Sequence, residues 1–591
     1  MDVLGNKRVA PDSWEFETHA EGPAGKIEFS AKMLINEPSG NIFAQSQNVG
    51  MGWDPKKLWG DQYMILSTMG GMRSDDGTPI ALGHHTGHFE LGMLIKTAAE
   101  QIQEMDGVPY TAYCSDPCDG RSQGTSGMMD SLPYRNDAAI VMRRLSRSIP
   151  TTKGVLGIAT CDKGLPAMMM ALAGTPDKPT IIMPGGVTLA VENGEDTAKI
   201  QSIGSRFAQN EVTLEYAQDV GCRSCASPGG GCQFLGTAGT SQVIAESLGM
   251  TLPHAALTPS GTNLWIDTGR RSAIALKNLI DKNIKTKEIL TSRAFENAMI
   301  VHAACGGSTN LILHLPAVAH AIKEKIMKVE DWIRINKLTP RLVDVLPNGP
   351  KGFPTSVFFS AGGVPEVMLK LRDEGLLNLN VTTSTGLTLN ENLDWWEQSE
   401  KRDFVRKQLK NTRNIDPEDV VNSFQNSKKK NMTSTVTFPK GNIAPEGSVV
   451  KSTAIDKTVI DDDGVYRKIG PARIFISEAD AIKAVKDKGA NGVKAGDIMV
   501  VVCGGPKGTG MQEVAQITIA LKYLNHGKEV ALITDGRFSG VSTGACIGHI
   551  GPEALDGGPI GKLKENDLIE INIDTINLEG SINLIGENGQ N

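Results

Sequence analysis

Residues 154–174 read GVLGIATCDKGLPAMMMALAG, and their reading decides the fold. GVLGIAT (154–160) is a short apolar run of strand length, and AMMMALAG (167–174) is helix-like. The turn between them carries Cys161, Asp162 and Lys163 in succession. A thiolate suits a soft metal or an iron–sulfur cluster, whereas a carboxylate suits a hard cation such as Mg²⁺. Two kinds of metal chemistry therefore meet at one strand-to-helix turn, above all when it is read with Cys232 in GGGCQFLGTAGT (229–240). The pairing suits removal of a hydroxyl from a substrate held by its carboxylate.

Outward from this turn the same texture continues. LGMLIKTAAEQIQEM (91–105) reads as helix, PYTAYC (109–114) as strand, NDAAIVMRRLSRSI (136–149) as helix and PTIIMPGG (179–186) as strand. From about 90 to 375 helical stretches alternate with apolar runs, which predicts a parallel sheet covered by helices on both faces, an α/β/α unit. Ligands in such sheets sit at the carboxyl ends of strands. Cys118-Asp119, Cys161-Asp162 and Gly185-Gly186 all fall there. Residues 386–433, with WWEQSEKRDFVRKQLK and NSKKKN, read as a helical connector, and Lys428–Lys430 as a solvated face. From 434 onward, runs such as DIMVVVCGG and LIEINID predict a β-rich, barrel-like unit with helices at 475–487 and 511–525. The expected division is 1–385, 386–433 and 434–591.

Bulk properties bound the function. The chain has 591 residues, 40% hydrophobic and 21% charged, an ordinary globular composition. Its 65 glycines, about 11% against a usual ~7%, cluster at GGG 229–231, GG 306–307 and GGP 504–506, as in loops that approach a ligand. A net charge of −7 without a basic stripe argues against nucleic acid. No apolar run reaches the ~20 residues of a membrane span, and the start has no signal-like apolar region. The nine cysteines are too few for a disulfide framework, so the expected home is the cytoplasm.

Seven segments carry a resemblance. They are CDGRSQGTSGMMDSLPYRND (118–137), CDKGLPAMMMALAG (161–174), GGGCQFLGTAGTSQVIAESLGM (229–250), GGSTNLILHLPAVAH (306–320), NIAPEGSVVK (442–451), GGPKGTGMQE (504–513) and TDGRFSGVSTGACIGHIGPEA (534–554). In this order, over about residues 15–585, the chain resembles the dihydroxy-acid and phosphogluconate dehydratase family, and within it the sugar-acid branch that includes bacterial D-xylonate dehydratases. The resemblance implies a hydro-lyase that converts an aldonic sugar acid, D-xylonate first, to its 2-keto-3-deoxy acid. It implies an iron–sulfur cluster, 2Fe–2S or 4Fe–4S, together with Mg²⁺, and a homodimer or homotetramer with no membrane partner. By motif position Cys161 and Cys232 look like cluster ligands. Asp119, Asp162, Lys163 and Glu513 look like the Mg²⁺ shell, with Lys163 carbamylated, a change that turns a repelling ammonium into an anionic oxygen donor. Ser539 matches the catalytic base. His88, Ser308, Thr309, Asn310 and Gly540 are expected at the substrate.

Two departures stand out. Relatives with a 2Fe–2S cluster draw a third cysteine from a Pro-Cys-Asn motif, where this chain has HHTGHFEL (84–91). Cys118, which precedes Asp119 as Cys161 precedes Asp162, is the expected third ligand, with His88 and Cys225 as competitors. Relatives also continue for some tens of residues beyond SINLIG (581–586). Other readings are a small zinc or ferredoxin-like site at Cys222, Cys225 and Cys232, the same dehydration on a branched dihydroxy acid or 6-phosphogluconate, and an inactive cluster-bearing sensor. His84, His85 and His88 read as hydrogen-bonding or packing residues. Cys114, Cys305, Cys503 and Cys546 read as small buried hydrophobes. GGPKGTG lacks the Lys-Ser/Thr of a phosphate-binding loop.

Overall fold

The computed structural model describes residues 3–5, 7–225 and 229–587. Strand β1 (Gln62–Ser67) is followed by a small hairpin, β2 (Met72–Arg73) and β3 (Pro79–Ala81), then by β4 (Val108–Tyr113), β5 (Gly154–Ala159) and β6 (Thr180–Pro184). β4, β1, β5 and β6 form one fully parallel sheet in that order. Every residue of β1, β5 and β6 is buried, as expected for strands covered on both faces. The pleat sends alternate side chains to opposite layers. Tyr63, Ile65, Leu156 and Ile158 pack with the helices Leu91–Glu104 and Asn263–Asp281. Met64, Leu66, Val155 and Ala159 pack with the helices Ser131–Ser148 and Gly164–Ala173.

The α/β/α expectation therefore holds, with two differences. β1 is not legible as a strand, although it is one of the two central strands, and it separates β4 from β5. The alternation of helix and strand also stops at Pro184. From there to Lys429 the named elements of the described residues are all helices. Several of these, including Thr237–Ser247, are buried on every side, so their sequences lack the one-sided apolar stripe that marks a surface helix. Within the stretch 386–433 the structure has helices at Leu389–Glu397, Glu400–Arg413, Pro417–Val420 and Phe424–Lys429.

The remaining strands are β7 (Val436–Thr437), β8 (Gly447–Lys451), β9 (Val465–Phe475), β10 (Ile498–Val501), β11 (Ala531–Thr534), β12 (Ala545–Gly551), β13 (Leu568–Asp574) and β14 (Glu579–Gly586). They form an eight-stranded sheet in the order β14-β13-β9-β10-β11-β12-β8-β7. A parallel bridge between Lys440, just beyond β7, and Ser581 of β14 brings the two ends together, so the sheet is a nearly closed barrel. Ile498, Val500, Ile533, Ile547, Ile571 and Ile582 fill its interior. Met499, Val501, Leu532 and Cys546 face outward into the core shared with the helical layer. That shared core brings the turn after β11 against the carboxyl ends of the parallel strands. Among the described residues no helix is long and apolar enough to cross a membrane.

Candidate active site

Four loops build the site. The loop after β4 places Cys118 at the N-cap of the short helix Asp119–Ser122. The loop after β5 carries Cys161, Asp162 and Lys163 into the helix Gly164–Ala173. Cys161 has a left-handed backbone, φ 72°, a conformation costly for a residue with a Cβ. Cys232 precedes the buried helix Thr237–Ser247. From the barrel side, Glu513 and Arg537 form a backbone bridge that sets Glu513 beside the turn carrying Ser539.

These loops enclose a cavity of about 510 Å³, lined among others by Cys118, Cys161, Asp162, Cys232, Glu513 and Ser539. His85, Cys118 and Cys161 offer ligand atoms within 4.8 Å of one another. Hydrogen bonding to Cys118 and then burial push the Cys161 thiol up, and burial pushes up Cys232. Thiols of this kind release their protons to a soft metal. Asp119 and Lys163 lie just beneath the lining, with Lys163 Nζ 2.5 Å from Asp119 Oδ2. Burial alone would raise the Asp119 carboxyl, but Lys163 and then Arg537 hold it low. The Asp162 carboxyl is pushed up to about 7 by burial and by Asp119, with Glu513 and Asp116 adding and Lys163 opposing. Crowded, desolvated carboxylates are what a hard cation relieves. The donors present thus fit a soft metal centre and a hard cation side by side.

Arg537, unassigned from sequence, is the hub of the polar wall and is fully buried. It pairs with Glu513, donates to Ser131 Oγ at 2.9 Å and to the Met511 carbonyl at 2.9 Å, and stands 3.6 Å from Asp119 Oδ2. Ser131 Oγ donates to Asp119 Oδ1 at 2.6 Å. Asn310 Nδ2 donates to Glu513 Oε2 at 2.9 Å and to Thr237 Oγ1 at 2.8 Å, and Thr237 shares a 2.9 Å hydrogen bond with Ser308. An arginine in GRFSG has no sequence signal beyond its place two residues before the motif serine. Only burial reveals it.

The residues expected at the substrate are placed differently from one another. Ser308, Thr309 and Asn310 are buried behind the wall rather than lining it, and Asn310 acts on Glu513. Gly540 is wedged against Ser308; a Cβ there would meet Ser308 Oγ at 2.7 Å. His88 is fully buried, its Nε2 2.6 Å from Asp116 Oδ1, while His84 and His85 reach the cavity. Cys225 lines the cavity and Cys222 does not. Cys305 and Cys546 are buried, and Cys114 and Cys503 are half-buried.

Comparison with known proteins places the chain in a family. Residues 81–392 match the dihydroxy-acid/6-phosphogluconate dehydratase N-terminal family and residues 419–585 the corresponding C-terminal family. The chain is 59% identical to the D-xylonate dehydratase YagF of Escherichia coli, over 96% of this chain and 86% of that protein. It is 58% identical to the D-xylonate dehydratase YjhG of the same organism, over 97% and 87%. Dihydroxy-acid dehydratase 1 of Methanosarcina acetivorans is 34% identical over 82% and 83%. By both halves of its sequence, the chain belongs to the dihydroxy-acid/6-phosphogluconate dehydratase family.

Proposed function

We propose that the protein is a hydro-lyase that converts an aldonic sugar acid, D-xylonate first, to its 2-keto-3-deoxy acid, using an iron–sulfur cluster and Mg²⁺. One observation carries this reading: thiols, carboxylates and Ser539 face a single cavity. Cys118, Cys161 and Cys232 would hold the cluster. Asp119, Asp162, Glu513 and a carbamylated Lys163 would hold Mg²⁺. When bound, the cation supplies positive charge beside the substrate carboxylate and C2 hydroxyl, and the cluster supplies Lewis acidity toward the C3 hydroxyl.

Ser539 Oγ, in its alkoxide form, takes the proton from C2 while the C3 hydroxyl leaves. Ser539 then returns that proton to the departing hydroxide, so that water is lost and the alkoxide restored, and the enol that remains tautomerises to the ketone. Arg537 and Asn310 hold the Glu513 carboxylate in place, and the buried pair His88–Asp116 supports the turn at Gly164, whose N–H donates to Asp116 Oδ2 at 2.9 Å. Two arginines line the cavity, and each is partly engaged by the protein. Arg73 pairs with Glu90 at 3.0 Å, and Arg121 donates to the Gly83 and His84 carbonyls at 3.1 and 3.3 Å. With no lysine among the lining residues, these two partly engaged cations are a sparse set for a phosphate, which supports an unphosphorylated acid over 6-phosphogluconate.

The same proposal takes residues 1–385, 386–433 and 434–591 as the units of a cytoplasmic homodimer or homotetramer. Its test is a side-by-side assay, after anaerobic purification with Mg²⁺, of xylonate, gluconate, arabinonate, 6-phosphogluconate and dihydroxyisovalerate. Highest kcat/KM on a sugar acid is expected. Turnover confined to dihydroxyisovalerate or to 6-phosphogluconate would overturn the assignment.

A further inference from the structure

Cys118, Cys161 and Cys232 are not the only soft donors at the cavity; Cys225 also lines it, although among the described residues it joins no group of ligand atoms within 4.8 Å. His85 lines the cavity too, and one ring nitrogen lies within 4.8 Å of the sulfurs of both Cys118 and Cys161, which are equally close to each other. Separations of this size suit donors around one metal centre with Fe–S or Fe–N bonds of ~2.0–2.3 Å. The ring is also in the right state to ligate. Nδ1 accepts the Gly87 N–H at 3.0 Å, so Nδ1 bears a lone pair and the ring proton sits on Nε2.

The loop holding His85 is fixed to the loop that leads to Cys232. Gly87 packs on Gly230 so closely that a Cβ on Gly87 would lie 2.6 Å from the Gly230 nitrogen. The His88 ring braces His85 edge-on, with centroids 5.5 Å apart, and His88 is itself held by Asp116. His85 is therefore positioned by the frame that positions the thiolates.

We propose that His85 is the nitrogen donor of the soft-metal centre, completing a set of one histidine and three cysteines, and that it is the exchangeable donor. The inference rests on the iron–sulfur reading above. The Gly87 N–H bond yields to the metal. A neutral nitrogen binds iron less tightly than a thiolate does, so entering sugar acid displaces His85 and leaves Cys118, Cys161 and Cys232 in place. The step is a ligand substitution with no change in oxidation state.

The test uses the full chain labelled with ¹⁵N-histidine, reconstituted anaerobically with ferrous iron and sulfide and then reduced with dithionite for pulsed EPR. Wild type is expected to show a directly bonded histidine nitrogen that saturating D-xylonate removes. His85→Ala should lose this coupling while keeping more than half the iron and sulfide, and His85→Cys should hold a cluster with no nitrogen coupling. The wild-type measurement stands even where a variant fails to fold. A wild-type cluster without bonded nitrogen, or coupling that persists in His85→Ala, overturns the role of His85 and leaves the cluster reading intact. Coupling unchanged by D-xylonate overturns the exchange. Wild type that takes up no iron with sulfide overturns both this inference and the reading it rests on.

Discussion

Lys451 Nζ donates to the carbonyl oxygen of Gly540 at 2.6 Å, from the end of β8 to the residue after Ser539. On its other side Gly540 meets Ser308. The serine turn is thus gripped between the barrel and the helical layer. Lys451 is fully buried, and burial, with Arg341 adding, lowers its pKa to about 7. Lys451→Met should lower kcat by roughly 100-fold, the order expected when a reacting group shifts by about 1 Å. KM should change by less than about threefold, since uniform binding is untouched. Lys451→Arg, which keeps a donor, should recover part of the loss. An unchanged kcat in Lys451→Met would show that the turn does not need this grip.

Ser539→Ala should lower kcat by at least ~10²-fold, the low end for losing a positioned proton-transfer group. Iron, sulfide and Mg²⁺ content should match wild type, because Ser539 is not among the proposed metal donors. Steady-state rates alongside metal analysis check both halves. Near-normal turnover would remove Ser539 from the chemistry.

Arg537, itself fully buried, neutralises Glu513 and Asp119. Arg537→Met leaves buried carboxylates without their partner and should cost ~3–5 kcal/mol of stability. Added Mg²⁺ should restore part of this, because a cation binding the folded state alone stabilises it by mass action. Urea denaturation with and without Mg²⁺ reads both effects. A loss that Mg²⁺ does not reduce would speak against a hard-cation site at these carboxylates.

Glu246, far from this chemistry, accepts three backbone N–H bonds, from His254 at 2.7 Å, Ala255 at 3.2 Å and Ala256 at 2.8 Å. Burial nevertheless pushes its carboxyl up from 4.5 to about 7. Between those values the folded chain binds the proton more tightly than the unfolded chain. The stability Glu246 contributes is therefore complete below 4.5 and falls as pH rises to about 7, by on the order of 3 kcal/mol. Glu246→Gln cannot titrate. Its stability relative to wild type should rise with pH across that window and stay flat outside it, as read from urea midpoints.

How much of this was legible in the sequence follows from the physics of each element. β5 and β6 show as continuous apolar runs bounded by Gly and Pro, and the turn at Cys161 shows by its three unlike chemistries. β1, QYMILS, hides because it starts in polar Gln62 and follows a loop-rich stretch with no turn signal of its own. Cys118 was drawn to the site by analogy with Cys161, and the structure puts the two side by side although β1 runs between their strands. His88 and His85 differ by three residues and have the same chemistry. Which one is turned to the cavity depends on the loop's tertiary packing against Gly230, and no local pattern encodes that. Arg537 and Lys451 were invisible for the same reason: a buried cation is defined by what surrounds it.

Cys161 and its left-handed backbone set a trade-off between stability and metal binding. At φ 72° the fold would favour glycine, which adopts this region without the penalty of roughly 1–2 kcal/mol that a Cβ brings. Cys161→Gly should therefore be neutral or stabilising in the metal-free protein while weakening metal binding, the reverse of a normal core substitution. A lineage released from selection on this chemistry would be drawn to that change early, since it improves folding as it disables the site. On the cluster reading proposed above, the thiol at position 161 is kept at a cost in folding that one backbone angle records.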